Sequence, residues 1–143
     1  MQQEYYSLPL NLERVMNKLE HTKVSMQQSV SQHLHLLLTT GFGEFPANEH
    51  FGCGIWEYDF DNVTSAHKMK EWIRQSLVEV ISQQEKRLTN VRAEVLLRQE
   101  EVSDVTAGRR IKKKIDITIT GQLGLTNERF TYRDNFFVGP LSY

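Results

Sequence analysis

The sequence has little cysteine and little proline: one cysteine, Cys53, and three prolines among 143 residues. A single cysteine excludes an intrachain disulfide and fits a reducing compartment. No stretch approaches the ~20 consecutive apolar residues of a membrane-spanning helix. Residues 1–10 also lack the basic and apolar regions of a signal peptide. We therefore expect a cytoplasmic, soluble protein with no membrane insertion.

An excess of charge of one sign is also absent, because 17 basic and 18 acidic residues give a net charge of -1. A general nucleic-acid binder carries a broad basic footprint, whereas here only the run from Arg109 to Lys114 is locally basic. This run opens a predicted strand, on which side chains alternate between faces. Edge protection or an acidic partner surface explains it, and a small nucleic-acid-binding regulatory module is the weaker alternative.

The remaining composition is that of one folded domain. Hydrophobic residues make up 39% and charged residues 24% of the chain, with no repeat or low-complexity tract. A chain of this length can bury roughly 68% of its unfolded surface, which is enough for one core. We predict a single domain over residues 1–143, in which residues 1–10 form a flexible arm.

Three segments have the 3.6-residue period of helices. A short one follows Asn11, a candidate N-cap, and a second follows Ser25 and ends near Thr40, before a glycine-rich loop. The longest runs from about Thr64 to Gln84. The apolar positions that define the three are Leu12, Val15, Met16 and Leu19; Val30, Leu34, Leu37 and Leu38; and Ala66, Met69, Trp72, Ile73, Leu77, Val80 and Ile81.

Downstream of residue 90 the period changes to two, which is typical of strands with one buried face. Three such strands are centred on Val95, Ile117 and Tyr132, with connections over residues 100–108 and 121–127. A further short extended piece is predicted over residues 55–60. Because the helices come first and the strands last, we predict an α+β fold. Its N-terminal helices pack on one face of a C-terminal antiparallel sheet of three or more strands.

Acidic residues cluster around the glycine-rich loop, and they raise the question of hydrolysis. Glycosidases hold two carboxyl groups about 5–9.5 Å apart across a cleft. A solvated loop whose acids cap helix ends is the alternative, which we prefer because spacing alone selects no pair. The acids concerned are Glu44, Glu49, Glu57, Asp59 and Asp61.

Metal and nucleophile chemistry find less support. His50 and Cys53 have a spacing used by metal ligands, but a structural zinc site needs four ligands and the second pair is missing. His33 and His35 are two residues apart on a predicted helix, so they point to different faces. Cys53 has no third group to orient His50 or His67 as its base. We predict no metal, no cofactor, no small-molecule substrate and no catalytic residue.

Glu85, Lys86 and Arg87 lie between the longest predicted helix and the first predicted strand. A carboxylate and a guanidinium fixed at such a junction can make bidentate contacts with a partner. A polar helix end with no binding role is the common alternative, and the residue pattern alone leaves both open.

Two blocks of sequence carry a family resemblance. The first contains SVSQHLHLLLTTGFGE at 29–44 and HFGCGIWEYDF at 50–60, and the second is EKR at 85–87. In order and spacing they resemble the TssE/GPW family of baseplate wedge proteins, found in type VI secretion systems and contractile phage tails. That family has a Gly-Glu-Arg loop and a Glu-Pro-Arg motif. Here Phe45 stands in place of the loop arginine, and Lys86 in place of the proline.

The resemblance implies a structural role in a contractile injection apparatus. Family members join other wedge subunits and present a sheet from which the first sheath ring polymerises. Other wedge proteins and sheath subunits are therefore the implied partners, and strand addition at an open sheet edge suits this role. The family has also been labelled lysozyme-like, and a peptidoglycan-cleaving glycosidase is the alternative. The implied partner-binding residues are Glu44, Phe51, Gly52, Glu85, Lys86 and Arg87.

Overall fold

The computed structural model describes residues 4–20, 23–57, 66–104 and 108–138. Asp59 and Asp61 of the acidic cluster lie outside the described residues, and so do the side chains of Glu57 and of residues 109–112. In the described ranges, two short strands and a short helix precede two longer helices, which are followed by three long strands.

The N-terminal part consists of β1 (Tyr5–Tyr6), α1 (Leu12–Met16) and β2 (Lys23–Val24), and β1 pairs antiparallel with β2. Asn11 caps α1 as predicted, because its side chain accepts the N–H of Arg14. None of the residues of α1 is buried. The apolar period therefore predicted the helix correctly, but this helix does not contribute to the core.

The arm contacts the rest of the domain through Ser7 and Leu8. The backbone N–H of Leu8 donates to Gln32 Oε1 at 2.8 Å, and Gln32 Nε2 donates to the hydroxyl of Ser7. Its predicted flexibility stays a prediction, which hydrogen exchange can test.

Helix α2 (Met26–Thr39) begins at a capping box formed by Ser25 and Gln28, which satisfies two backbone N–H groups. Helix α3 (Ala66–Gln84) confirms the longest predicted helix. Trp72, which the period places on the apolar stripe, lies at its margin and is 37% exposed.

The extended piece predicted over residues 55–60 is wrong for its described part. Gly54–Glu57 form a short 3-10 helix, in which Ile55 is buried. A short apolar run does not by itself distinguish a strand from a helical turn.

The C-terminal sheet has the order β3 (Leu88–Asp104), β4 (Gly108–Leu123) and β5 (Arg129–Val138), with both pairs antiparallel. The first two strands are longer than predicted, because their pairing continues from Gln99 to Asp104 opposite Lys113 to Gly108. This stretch passes the end of β5, whose pairing stops at Val138 opposite Lys113. A two-stranded ribbon therefore projects beyond the three-stranded sheet.

One face of the sheet and the apolar stripes of α2 and α3 form a single core, which confirms the α+β prediction. Alternate strand residues are buried, as the period of two predicts. No helix in the described part of the chain is long and apolar enough to cross a bilayer. The buried residues at the centre of this core include Leu34, Leu37, Ile73, Leu77, Val95, Ile117 and Ile119.

A β-bulge shifts the pairing of β3 with β4 between Thr89 and Arg92, and Asn90 within it has a φ of 53°. A Cβ on Gly121, in the central strand, would lie 2.8 Å from the carbonyl oxygen of Thr89. The glycine therefore lets the two backbones approach closely at the bulge.

Candidate functional site

The junction between α3 and β3 contains a buried carboxylate. The N–H of Glu85 donates to Ile81 O at 2.8 Å, which completes the last turn of α3. The Glu85 side chain is 2% exposed. A buried charge requires partners, and the neighbouring elements supply them.

Arg87 provides three of these partners from only two residues away. Its backbone N–H and its Nε donate to Glu85 Oε1 at 3.0 and 2.8 Å, and its Nη2 donates to Oε2 at 2.7 Å. The guanidinium therefore holds the carboxylate in bidentate geometry, which lysine could not reproduce. These bonds close a ring across Lys86, which lies between the two residues.

Helix α2 approaches the same two side chains with a pair of polar residues one turn apart. His33 Nδ1 lies 2.6 Å from Glu85 Oε2, and Arg87 Nη1 donates to Ser29 Oγ at 2.8 Å. The ring of Tyr5, on β1, lies with its centroid 5.0 Å from Arg87 Cζ. Four elements thus meet in what we call the Glu85 cluster, formed by Tyr5, Ser29, His33, Glu85 and Arg87.

The electrostatics of the cluster favour a permanent ion pair. Burial alone would raise the pKa of the Glu85 carboxyl, but the N–H groups of Arg87 and the bond to His33 lower this pKa to about 2. The same pairing raises the pKa of Arg87. The carboxylate accepts four hydrogen bonds, which uses its acceptor capacity. It is therefore suited to holding the chain in place and not to proton transfer near neutral pH.

The glycine-rich loop reaches the cluster through Phe51. This half-buried ring packs against the core, and its centroid lies 5.9 Å from that of His33. The next residue, Gly52, is buried with a φ of +132°, and a Cβ there would lie 2.7 Å from the carbonyl oxygen of Thr40. Only glycine fits at this crossing of the loop over the end of α2.

The other two predicted partner-binding residues lie on the surface. Lys86 is exposed, and its Nζ donates to the Ser82 carbonyl at 3.3 Å, at the end of α3. Glu44 is exposed, and its Oε2 accepts the N–H of Gly41 at 3.1 Å. This contact closes the turn that follows α2. The roles of all six residues in binding a partner stay predictions.

The cysteine and histidine residues have ordinary structural surroundings. Burial raises the pKa of the Cys53 thiol to about 11, whereas His50 is exposed. His33 and His35 contact different elements, as their spacing predicts. Within the described ranges, no group of three His, Cys, Asp or Glu side chains is arranged to bind a metal ion.

Sequence reasoning missed Tyr5, Ser29 and His33. The available signal was the position of Ser29 and His33 one turn apart beside the buried stripe of α2, where a polar pair requires partners. Nothing in the sequence of the arm indicates that Tyr5 contacts a residue 82 positions later, since such contacts depend on the tertiary fold.

A second polar cluster, also missed, joins α2 to β5. Asp134 Oδ2 accepts the hydroxyl of Tyr132 at 2.5 Å and lies 2.8 Å from His35 Nδ1. Burial and the bond to Asp134 raise the pKa of Tyr132. Burial would raise the pKa of Asp134, but the bonds to Tyr132 and His35 lower it. The carboxylate therefore stays charged on the inner side of an outer strand.

The family model described as baseplate wedge protein gp25 matches residues 24–128. The chain belongs to this baseplate wedge family. The match includes α2, α3, β3, β4 and every member of the Glu85 cluster except Tyr5. Membership supports a structural role in a tail baseplate.

One solved structure shares the fold of this chain over most of its length. A protein from Geobacter sulfurreducens, described as a candidate tail lysozyme, has a TM-score of 0.61 and 22% identity, over 86% of this chain and 100% of that chain. At this identity the likeness shows the fold alone. No curated protein matches the chain.

Proposed function

We propose that this chain is a structural wedge component of a contractile injection apparatus, cytoplasmic and of the type VI secretion or phage-tail kind. In this role it joins neighbouring wedge subunits and nucleates assembly of the sheath. The observation that carries the proposal is a three-stranded sheet in which β3 and β5 pair with no other strand among the described residues. Unpaired strand edges are templates for another chain.

The Glu85 cluster supports this role by fixing the sheet to the helices. Its bonds connect the end of α3, the start of β3, the side of α2 and the N-terminal strand. The Gly124 N–H also donates to the Arg87 carbonyl at 2.8 Å, which ties in the turn between β4 and β5. A sheet that is fixed to the helices in this way can set the position of the neighbouring subunit that binds to it.

Within the cluster we assign different tasks to its two charges. The Arg87 side chain is 27% exposed and Glu85 is 2% exposed. Arg87 can therefore contact a partner while Glu85 sets its orientation. Lys86, Glu44 and Phe51 are the further contact points that we propose. Gly52 contributes the loop conformation that places Phe51.

Co-purification with the neighbouring wedge and sheath proteins tests the proposal. Wild-type chain should bring down both, and the Glu85→Ala, Arg87→Ala double variant should lose the wedge proteins. Normal assembly of a folded double variant would remove these two residues from the proposed anchor.

We further propose that the chain is not an enzyme, in contrast to the peptidoglycan-cleaving alternative. Among the candidate acids, Glu44 is exposed, and its carboxylate accepts a hydrogen bond from the Gly41 N–H. The general acid of a glycosidase is instead buried, which raises its pKa. Purified chain should leave peptidoglycan intact. Cleavage that Glu44→Gln abolishes would replace the structural proposal with the enzymatic one.

A further inference from the structure

The face of the sheet that points away from α2 and α3 contains an open cleft beside the β-bulge. The cleft has a volume of about 680 Å³, which is in the range of small-ligand sites. Arg92 of β3 and Arg129 of β5 line it from the two outer strands. On the central strand, Thr120 is paired with Arg92. Two residues later, Gln122 is paired with Arg129. All three strands therefore contribute to this site, which we call the bulge cleft.

The two arginines of the bulge cleft have no counter-charge among the described residues. Both side chains are exposed, and neither guanidinium forms an ion pair or a hydrogen bond with another described residue. By contrast, Arg98, further along β3, is paired with Asp116 at 2.5 Å. The described lining contains no Asp or Glu. Two positive charges in one cleft without an acid attract a doubly charged anion.

Two acids are close in sequence to these arginines, but both lie outside the described lining. Glu128 precedes Arg129, and its Oε2 accepts a hydrogen bond from Gln27 Nε2 on α2 at 3.1 Å. Glu94 follows Arg92 by two residues on β3 and is exposed, and it forms no ion pair with a described residue. The bulge cleft therefore has an excess of positive charge.

The side-chain amide of Gln122 adds a neutral donor to the bulge cleft. Asn90 Nδ2 donates to Gln122 Oε1 at 3.0 Å, so the carbonyl end of this amide is occupied. Its NH₂ group forms no hydrogen bond with another described residue and is available to an anion. Asn90 has a φ of 53° within the bulge, a conformation that asparagine adopts more readily than most residues. The bulge therefore orients a donor on the strand between the two arginines.

The number and kind of these donors distinguish phosphate from carboxylate. A phosphate monoester carries a charge of about −1.5 to −2 at pH 7 and has three acceptor oxygens. Two guanidinium groups and one amide match this charge and these oxygens, whereas a carboxylate has one charge and two oxygens. The described lining also includes the amide of Asn127 and the hydroxyl of Thr120, and Val91 is its one large apolar residue. Such a lining suits a hydroxylated molecule.

We propose that the bulge cleft binds a small, hydroxylated phosphate monoester, which Arg92, Gln122 and Arg129 hold by its phosphate group. Because these three residues lie on three different strands, the bound phosphate ties β3, β4 and β5 together at the bulge. The ligand is bound and not converted. This site goes beyond the proposed wedge role and does not depend on it.

A phosphate titration of the full-length chain at constant ionic strength tests the charge requirement. Two-dimensional NMR of the isotope-labelled chain follows the amides of Gly121 and Gln122, with inorganic phosphate and then glycerol phosphate as probes. The shifts should saturate in the wild type. Arg92→Gln and Arg129→Gln should each weaken the affinity about tenfold, as expected for one lost hydrogen-bonded charge. Arg133→Gln, an exposed arginine on β5 outside the described lining, is the matched control and should bind as wild type does. Equal affinities in all three variants, or no saturable shift in the wild type, would overturn the proposal.

Further probes in the same titration test the chemical class of the ligand. Acetate, which carries one carboxylate, should bind at least tenfold more weakly than inorganic phosphate. Glycerol phosphate should bind at least as tightly as inorganic phosphate, because the lining offers hydrogen-bonding partners to its hydroxyl groups. Acetate that bound as tightly as phosphate would overturn the assignment to phosphate. A short phosphoserine peptide that bound more tightly than glycerol phosphate would overturn the assignment to a small molecule.

Thermal unfolding gives a second readout at the same ionic strength. A ligand that binds only the folded chain raises its melting temperature. Glycerol phosphate should therefore raise the melting temperature of the wild type and of Arg133→Gln, and leave that of the Arg92→Gln, Arg129→Gln double variant unchanged. The melting temperatures without ligand show whether the variants fold. A rise of the same size in the double variant would show that phosphate acts elsewhere on the chain, and would contradict the proposed site.

Discussion

Arg87 holds the carboxylate of Glu85, two residues before it, with its backbone N–H and two guanidinium N–H groups. His33 on α2 also bonds to this carboxylate, with its Nδ1 2.6 Å from Glu85 Oε2. The end of one helix, the side of another and the start of the sheet therefore meet at one buried charge.

Replacing Glu85 with glutamine should destabilise the domain strongly. The change leaves the largely buried Arg87 without a counter-charge, and breaking a buried ion pair by removing one partner costs about 3 kcal/mol. Urea unfolding followed by circular dichroism measures the change in the free energy of unfolding. Glu94→Gln, on the exposed face of β3, is the control and should change it by less than about 0.5 kcal/mol. Equal effects of the two variants would show that the ion pair does not contribute to stability.

The contribution of Glu85 should disappear in acid. Its pKa is lowered from 4.5 to about 2 in the folded chain. A lowered pKa gives stability that is present above the unfolded value and is lost as the pH falls toward the folded value. The difference in unfolding free energy between wild type and Glu85→Gln should shrink as the pH falls from about pH 5 to about pH 2. A difference that grew in this window would contradict the direction of the shift.

Gly52→Ala should destabilise the loop, because a Cβ there meets three backbone atoms within 2.9 Å and the φ of +132° is unfavourable for alanine. We expect a loss of about 3 kcal/mol from the overlap and the strain together. Gly124→Ala is the matched control, since its Cβ would meet only the Arg87 carbonyl oxygen, at 3.5 Å. Thermal unfolding of the two variants compares them, and a similar melting temperature for both would count against the observed crossing of loop and helix.

The N-terminal arm should be ordered in solution, as the bond from the Leu8 N–H to Gln32 Oε1 indicates. Hydrogen exchange should show protection of this amide, and Gln32→Ala should reduce the protection about tenfold, as expected for one lost hydrogen bond. Gln27→Ala, which removes a contact to Glu128 instead, should leave it unchanged. Unprotected exchange in the wild type would favour the flexible arm that the sequence predicts.

Periodicity was sufficient to predict the three long strands and the two long helices. Residues such as Leu34, Ile73 and Ile117 repeat at spacings that only one element type buries on a single face. The same reasoning was less successful where few residues set the structure. Ile55 packs inward from a 3-10 turn, and α1 has the period of a buried helix without being buried.

The candidate site was predictable only in part. The order of motifs directs attention to Glu85 and Arg87, and their mutual bond follows from opposite charges two residues apart. The contributions of Tyr5, His33 and Asp134 depend on distant elements brought together by folding, for which local patterns carry no signal. The open edge of β5 likewise follows from sheet order, which alternation alone does not determine.

The most direct test of a structural role is electron microscopy of sheaths in native host cells that lack this chain. The account predicts that assembled sheaths are absent, and that they return when wild-type chain is supplied. Normal numbers of sheaths without the chain would contradict it.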